Sequence, residues 1–185
     1  MRRLGAEAPS FDTIVAVGKR GALPHARPGQ TRLEAGDSLL VDMGASVAGY
    51  ASDMTRVARC GEVTPRLKRI YDAVLEAQLA AIAAVKPGAT AHDVDAAARN
   101  TLRRRKLDQY FTHSTGHGLG LEIHEAPRLG AGSKTVLEPG MAITIEPGVY
   151  IEGVGGIRIE DTVLVSASGV EVLTPTGKEY LGIAS

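Results

Sequence analysis

The order of secondary-structure patterns along this chain predicts an α+β fold. Strand patterns come first, two consecutive helix patterns follow, and strand patterns occupy most of the remaining sequence. This order differs from the strict alternation of strands and helices that builds a doubly wound parallel sheet. The 185 residues, 44% of them apolar, suffice for one domain with a sizeable core, and no linker or low-complexity stretch divides them.

Three strands are predicted in the first third of the chain. Phe11–Val17 is expected to form a buried strand, and residues 18–30, rich in Gly and Pro, a loop. Ser38–Met43 and residues 49–58 supply two further strands. The chain is therefore expected to begin as β-structure.

Two helices follow, each with a sequence signal at its start. Thr64-Pro65 places a capping side chain before a proline at the first helical position, and the helical period continues to Lys86-Pro87-Gly88. Thr90 and Asp93 have the spacing of a capping box, which predicts a second helix that ends near Arg105. β-Structure then returns in four predicted strands: Ala142–Ile145, Val149–Glu152, Ile157–Val165 and Glu171–Leu173.

Composition argues against several functional classes. Lys plus Arg and Asp plus Glu both number 21, so no overall charge favours nucleic acid as a partner. No run of about eighteen apolar residues is present, so we expect no membrane span. Cys60 is the single cysteine, which excludes an internal disulfide and favours a reducing compartment, the cytoplasm.

The segment of residues 113–125 is rich in histidine and glycine. It holds three of the five histidines, His113, His117 and His124, and its glycines remove side-chain bulk around them. Glycines flank His117 on both sides and leave room for a metal ion. Leu119–Ile123 alternates as a strand does, and an offset of seven residues puts His124 on the opposite face of a regular strand. The glycine-rich run must therefore twist or bulge if both histidines are to reach one pocket.

Two pairs of carboxylates accompany the histidines, and Asp42 with Asp53 is the first. If Ser38–Met43 and residues 49–58 form a hairpin centred on Val47-Ala48, Asp42 lies directly opposite Asp53. Opposed like charges destabilise a sheet unless something positive lies between them, and a metal ion is the simplest explanation. The alternative is a pair of aspartates that point into water at the end of a hairpin.

Glu146 and Glu160 form the second pair, separated by a chain reversal at Gly153-Val154-Gly155-Gly156. Arg158 lies two residues before Glu160 and on the same face, where it either lines the site or forms a plain salt bridge. One imidazole and four carboxylates form a hard, oxygen-rich ligand set. Such a set predicts two divalent cations that activate a water molecule.

These residues together resemble the pita-bread dinuclear metallopeptidases, the family of aminopeptidase P, prolidase and methionine aminopeptidase. The five ligands occur in the family's order, flanked by Gly-His-Gly-Leu-Gly-Leu-Glu-Ile-His-Glu-Ala-Pro and Thr-Ile-Glu-Pro-Gly-Val-Tyr, and the resemblance runs from about Phe11 to Leu173. It implies a curved, mainly antiparallel sheet backed by helices, with the metal ions in the concave face. The complete ligand set argues against the metal-free creatinase branch.

The resemblance assigns a metal-binding role to each ligand. Asp42 binds one ion, Asp53 and Glu160 bridge both ions, and His117 with Glu146 completes the second site. Mn²⁺ is the expected metal, with Co²⁺ or Zn²⁺ as possible substitutes, because oxygen ligands dominate the set.

The resemblance also implies catalytic and substrate-binding side chains. Glu146 is the expected proton acceptor, and His124 contacts the scissile peptide. His25, which taken by itself is a loop histidine without a role, is expected to orient the proline side of the substrate. Together the residues expected to line the substrate pocket are His25, His113, Tyr150 and Arg158.

The short spacing of Glu146 and Glu160 resembles the proline-specific members. It implies hydrolysis of the bond between an amino-terminal residue and a following proline in a peptide or dipeptide. A methionine aminopeptidase and a catalytically silent binding module of the same fold are the alternatives. The family's first helix pair and amino-terminal domain are not found in the sequence, so residues 1–185 are expected to be one partial catalytic domain, with a homodimer as the full-length assembly.

Overall fold

The computed structural model describes residues 1–183, and within that range it contains two α-helices and fourteen strands. Three short 3-10 helices cover Arg2–Leu4, Gly18–Ala22 and Asp108–Tyr110. The main elements in chain order are β1 (Ala8–Pro9), β2 (Ile14–Val17), β3 (Ser38–Met43), β4 (Ala45–Val47), β5 (Tyr50–Ala51), β6 (Met54–Cys60), α1 (Pro65–Ala84), α2 (Ala91–Arg104), β7 (Gly116–Gly118), β8 (Glu125–Leu129), β9 (Ala142–Ile145), β10 (Gly148–Ile151), β11 (Gly155–Arg158), β12 (Asp161–Ser166), β13 (Gly169–Val172) and β14 (Leu181–Ile183).

Two larger sheets carry the fold. The first has the order β2-β3-β6-β14, in which β14 runs parallel to β6 and the other neighbours are antiparallel. The second has the order β13-β12-β9-β7-β8 and is antiparallel throughout. The α+β class and the mainly antiparallel pairing are therefore confirmed.

A long hairpin joins the two sheets. Strands β9 and β10 form one arm, β11 and β12 form the other, and both strand pairs keep the same register. The ladder breaks between the pairs, where Glu146 N donates to Thr115 O at 2.7 Å, next to β7. On the other arm, Glu160 N donates to Thr55 O of β6 at 3.2 Å. The common register places the two glutamates opposite each other at the junction of the sheets.

Both helices begin where the sequence predicts. The Thr64 side chain accepts a hydrogen bond from Leu67 N, and Thr90 with Asp93 forms the expected capping box. Helices α1 and α2 pack against each other, and they contact the long hairpin and β8 respectively. Each large aliphatic side chain buried between these layers contributes about 1.5–3 kcal/mol. Fully buried members of this core include Val74, Val94, Leu102, Ile143 and Ile157.

Several strand bounds differ from the sequence prediction. The strand predicted over Phe11–Val17 covers Ile14–Val17 only. The strands predicted over residues 49–58 and Ile157–Val165 are broken at Asp53 and Glu160, because these residues turn toward a cavity and leave the ladder. The sequence patterns do not predict β1, β7, β8 or β14, which are short or rich in Gly, Pro and charged residues.

Neither of the two α-helices in the described part of the chain has the length and apolarity that crossing a membrane requires.

Candidate metal centre

The five predicted ligand residues line one cavity of about 1140 Å³. Asp42 comes from β3, Asp53 from the break before β6, and His117 from β7. Glu146 and Glu160 come from the breaks in the two arms of the long hairpin. One ligand atom each from Asp53, His117 and Glu160 lies within 4.8 Å of the others. The fold thus brings together side chains that are far apart in the sequence.

The hairpin between β3 and β6 has a different register from the predicted one. Its tip lies at Ala48-Gly49, one residue further along, where both residues have positive φ. A two-residue turn of this kind matches the twist of a hairpin. Asp42 therefore lies opposite Thr55, and the predicted direct opposition of Asp42 and Asp53 is wrong. Both aspartates still line the cavity, because Asp53 lies where the ladder breaks.

Burial of these aspartates contradicts the alternative in which they point into water. Asp42 is 7% exposed and Asp53 is 6% exposed. The Oδ1 atoms of both are buried, and neither has a hydrogen-bond partner among residues 1–183. Oxygen atoms that only accept and have no donor are costly to bury, so these two fit a cation.

The electrostatics of the cluster also fit a divalent cation. Burial, followed by the charge of Asp42, raises the pKa of Asp53 to about 8. Burial, followed by the charge of Glu146, also raises the pKa of Glu160 well above its ordinary value. Buried carboxylates that repel one another are compensated by a bound metal ion. The residues present therefore fit the metal centre expected from the sequence.

The orientation of His117 suits a metal ligand. Its Nδ1 lies 2.9 Å from Gly118 O, and a carbonyl only accepts, so Nδ1 carries the proton. Nε2 then faces the carboxylates, 3.3 Å from Glu146 Oε1 and 3.7 Å from Asp53 Oδ2. Burial lowers the pKa of His117, but the neighbouring carboxylates outweigh burial and the net shift is upward.

The glycines around His117 are required by close strand packing. A Cβ on Gly116 would lie 1.8 Å from Thr144 O, and one on Gly118 would lie 2.2 Å from Ala126 O. Any side chain at these positions would force β7 away from its neighbours. The glycines of this segment therefore allow β7 to lie close to its neighbouring strands, and this close packing positions His117 in the sheet.

A β-bulge brings His124 back to the same cavity as His117. The pairing of β7 with β8 shifts between His117 and Gly118, as the sequence argument required. The alternating pattern of Leu119–Ile123 does not form a strand, because β7 ends at Gly118 and the chain then bends. The imidazole rings of His117 and His124 lie with centroids 4.3 Å apart. Burial, followed by the charge of His117, lowers the pKa of His124.

Hydrogen bonds link three of the other candidate substrate residues: His113, Tyr150 and Arg158. His113 Nδ1 lies 2.8 Å from Ser114 O and must donate to it, so Nε2 accepts the hydrogen bond from the Tyr150 hydroxyl at 2.8 Å. Burial lowers the pKa of His113, which favours this neutral form. Tyr150 is 8% exposed, and its ring lies behind the cavity wall, whereas His113 and His25 line the cavity.

Arg158 extends these hydrogen bonds to the metal ligands. Its Nη1 donates to the Tyr150 hydroxyl at 3.0 Å and to Pro24 O, next to His25, at 3.1 Å. Its Nη2 forms an ion pair with Asp42 Oδ2 at 2.5 Å. Arg158 thus forms a salt bridge with Asp42 and also lines the cavity, so the two interpretations of Arg158 do not exclude each other.

Two residues of the site have roles that sequence reasoning missed. Thr55 Oγ1 donates to Glu160 Oε2 at 2.6 Å and accepts from Arg158 Nε at 3.1 Å. Its position two residues after Asp53 in a strand pattern was the available signal, since alternate residues share a face. Arg128 lines the cavity and lies opposite His117 in the pairing of β7 with β8, which no local pattern indicates.

An α+β fold in which four carboxylates and a histidine converge in one cavity is typical of metal-dependent hydrolases. Residues 1–167 match metallopeptidase family M24, and the chain belongs to that family. The family implies divalent metal ions at this site. The resemblance noted in the sequence and the pita-bread fold are thereby confirmed.

Individual relatives agree with this assignment. The chain is 49% identical over 181 residues to the Xaa-Pro dipeptidase of Pyrococcus furiosus, covering 98% of this chain and 52% of the relative. Its structure resembles an Xaa-Pro dipeptidase from Bacillus anthracis, with 50% identity, a TM-score of 0.96 and coverage of 98% and 51%. It also resembles an X-Pro aminopeptidase from Thermotoga maritima, with 40% identity, a TM-score of 0.95 and coverage of 98% and 52%. The chain spans about half the length of the curated relatives it matches.

Proposed function

We propose that residues 1–185 form one partial catalytic domain of a peptidase that hydrolyses the bond between an amino-terminal residue and a following proline. The convergence of the five ligand residues in one cavity, with unpartnered aspartate oxygens, carries this proposal. The names of the similar proteins, Xaa-Pro dipeptidase and X-Pro aminopeptidase, support the substrate class.

The proposed centre holds two divalent ions. Asp42, Asp53, His117, Glu146 and Glu160 would hold these ions. Four carboxylates and one imidazole favour Mn²⁺, with Co²⁺ or Zn²⁺ as substitutes. Such ions lower the pKa of a bound water and stabilise negative charge on the peptide oxygen.

Glu146 is the proposed proton acceptor. Its Oε1 accepts a hydrogen bond from Thr144 Oγ1 at 3.1 Å and lies 3.3 Å from His117 Nε2, so the carboxylate is held in place. Its side chain is 17% exposed, and it therefore has access to water in the cavity. Oε2 is the atom that remains to take a proton from the attacking water and deliver it to the leaving nitrogen.

His124 and His25 are the proposed contacts to the substrate. The lowered pKa of His124 keeps its ring neutral at neutral pH, so its N–H can donate to the peptide oxygen as that oxygen gains charge. His25 follows Pro24, whose carbonyl is held by Arg158, and this contact fixes the backbone that presents His25. Phe11, Ile14 and Ile123 add apolar wall, which suits a proline ring that lacks an N–H.

Arg128 suggests a dipeptide as the preferred substrate. Its side chain forms no hydrogen bond or ion pair with any other residue between 1 and 183, although it lines the cavity beside His117. A free guanidinium binds a carboxylate well, and the carboxyl terminus of a dipeptide lies within one residue of the scissile bond. Arg128→Met should therefore raise KM for Ala-Pro at least tenfold and change KM for Ala-Pro-amide by less than twofold.

Peptide hydrolysis and metal analysis test the proposed function. We expect Mn²⁺-loaded protein to bind two ions, to cleave Ala-Pro and to leave Met-Ala intact. Cleavage of Met-Ala in preference to Ala-Pro would favour a methionine aminopeptidase. Full Mn²⁺ occupancy without hydrolysis of either peptide would favour a silent binding module. The single cysteine supports the proposed cytoplasmic location. Sedimentation tests the proposed homodimer.

A further inference from the structure

A buried cluster of charges lies behind the metal centre. Asp161 is fully buried, and its Oδ1 accepts hydrogen bonds from Arg56 Nη2 at 2.6 Å and from Thr174 Oγ1 at 3.1 Å. Its Oδ2 binds Lys178 Nζ at 2.5 Å and Gln78 Nε2 at 2.8 Å. None of these residues lines the cavity, so the proposed reaction does not explain the cluster.

Arg56 connects the cluster to the backbone of Glu160. Its Nη1 donates to the carbonyl oxygen of Glu160 and, at 2.9 Å, to that of Thr55. Thr55 and Arg56 are consecutive in β6, so their side chains point to opposite faces of the sheet. Thr55 Oγ1 donates to Glu160 Oε2 at 2.6 Å. Glu160 is therefore held through its side chain from one face and through its carbonyl group from the other.

Arg56 also binds the segment Thr174–Ile183, which we name the carboxy-terminal strap, with one N–H of Nη2 shared between two acceptors. Nη2 donates to the carbonyl oxygens of Thr174 and Thr176 at 3.1 and 2.8 Å, and Nε donates to Gly177 O at 3.2 Å. The strap ends in β14, which pairs in parallel with β6. One guanidinium thus joins a metal-ligand backbone, a buried carboxylate and the strap.

We propose that Arg56, supported by Lys178, is a positioning residue for Glu160 and that docking of the strap is coupled to metal affinity. The inference rests on the proposed function, in which Glu160 is one of the side chains that would hold the metal ions. A planar guanidinium offers five donors in a fixed fork, and a lysine ammonium cannot reproduce that geometry. Coupling between two sites is reciprocal, so metal binding must in turn stabilise the docked strap.

Calorimetric titration of the metal-free chain with Mn²⁺ tests this proposal. Arg56→Lys keeps a positive charge beside Asp161 but loses the fork, and we expect Mn²⁺ affinity to fall about 10- to 100-fold, as for other residues that orient ligands. Lys178→Met should cause a smaller loss, because Arg56 remains. The visible absorption spectrum of the Co²⁺-loaded Arg56→Lys variant should also change, since it reports ligand geometry.

Arg59→Met is the matched control. Arg59 lies on the same strand and donates to Tyr180 O of the strap at 3.2 Å, but it contacts neither Glu160 nor Asp161. This substitution removes one contact near the end of the strap but leaves the contacts of Arg56 with Glu160, Asp161 and the strap in place. Mn²⁺ affinity should therefore stay within about twofold, well below the loss expected when an orienting residue is removed. An equal loss in Arg59→Met, or wild-type affinity in Arg56→Lys, would overturn the proposal.

Hydrogen exchange of the unsubstituted chain provides a test that needs no variant. We expect Mn²⁺ to slow amide exchange over residues 174–183, and unchanged exchange would overturn the coupling even if the Arg56 variants fail to fold. If the unsubstituted chain binds no Mn²⁺, the proposed metal centre itself is wrong and this inference falls with it. If the unsubstituted chain binds Mn²⁺ normally and Arg56→Lys binds it with the same affinity, this inference is rejected and the proposed function still stands.

Discussion

Glu160 and Asp161 are consecutive acids, and the fold treats them in opposite ways. Glu160 turns toward the cavity, where Thr55 Oγ1 is its donor and other carboxylates are its neighbours, and burial raises its pKa. Asp161 points away from the cavity and is surrounded by donors, among them Arg56 and Lys178. Burial raises the pKa of Asp161, but the hydrogen bonds from Lys178 and Arg56 outweigh it and the net shift is downward.

This difference separates a structural acid from an acid that needs a ligand. The cations of Asp161 belong to the chain, so its charge is compensated as soon as the protein folds. Glu160 lies among Asp42, Asp53 and Glu146, whose charges help to raise its pKa. The nearby cation of the chain, Arg158, is paired with Asp42, so divalent cations from solution would supply the remaining compensation. Two consecutive acids therefore have opposite roles because their side chains lie on opposite faces of the same arm of the hairpin.

The largest expected effect separates the two acids by substitution. Asp161→Asn should lower the free energy of unfolding of the metal-free protein by about 3–5 kcal/mol, because it leaves buried cations without their partner. Glu160→Gln should leave that free energy unchanged or raise it, because the raised pKa already favours the neutral carboxyl group. Glu160→Gln should instead abolish Mn²⁺ binding and peptide hydrolysis. Denaturant titration in chelator, with calorimetry for Mn²⁺, measures both, and similar destabilisation by the two variants would break the comparison.

A second comparison applies the same reasoning to the paired histidines. His117→Ala should remove Mn²⁺ and activity together, because Nε2 faces the carboxylates. His124→Ala should keep metal content near normal while kcat for Ala-Pro falls about 10²–10³-fold, as when a donor to a developing oxyanion is lost. Metal analysis of the two purified variants decides the point. Equal metal loss in both would show that His124 is a ligand.

The pH dependence of stability should have opposite signs for the two classes of acid. Burial and the charge of Asp42 raise the pKa of Asp53 from its ordinary value of 3.8 to about 8. The folded protein therefore binds this proton more tightly than the unfolded chain, and the stability that the proton provides is lost as the pH rises from 3.8 to about 8. The unfolding free energy of the metal-free protein should fall with rising pH, by up to about 1.4 kcal/mol per unit for this group. Mn²⁺ affinity should rise over the same range, because the cation displaces the proton.

Two variants sharpen the pH comparison. Asp53→Asn should flatten the slope between pH 5 and about 8. Asp161 has a lowered pKa, so the stability it contributes is present above its ordinary 3.8 and is lost as pH falls through the lower value. The cost of Asp161→Asn should therefore shrink in acid, and a cost independent of pH would contradict our assignment of its charge.

The smallest effect is expected at an exposed ion pair of α1, which serves as a reference for both acids. Lys68 Nζ lies 2.5 Å from Asp72 Oδ1, and the two side chains are 55% and 52% exposed. Asp72→Asn should cost only about 0.3–0.5 kcal/mol, because water already compensates both charges and salt screens them. A thermal melt measures the shift, and a cost near that of Asp161→Asn would show that burial is not what separates the acids.

The sequence by itself determined the class of the fold, the starts of both helices and the residue types of the site. These features depend on local chemistry: Thr64 and Thr90 cap helices through their own side chains, and the glycines beside His117 are needed wherever strands pack closely. The set of one histidine and four carboxylates was visible for the same reason, since ligand chemistry belongs to the residue type.

Only the tertiary structure decided how those residues face one another. The turn lies at Ala48-Gly49, one residue further along than predicted, so Asp42 lies opposite Thr55 and not opposite Asp53. Every change of register in a hairpin reassigns all cross-strand neighbours. Alternation along the strand puts Glu160 and Asp161 on opposite faces but does not show which charges surround each of them. Two of the partners of Asp161, Gln78 and Arg56, lie 83 and 105 residues away on α1 and β6. A carboxylate acquires its role from the charges that surround it, and packing alone brings those charges together.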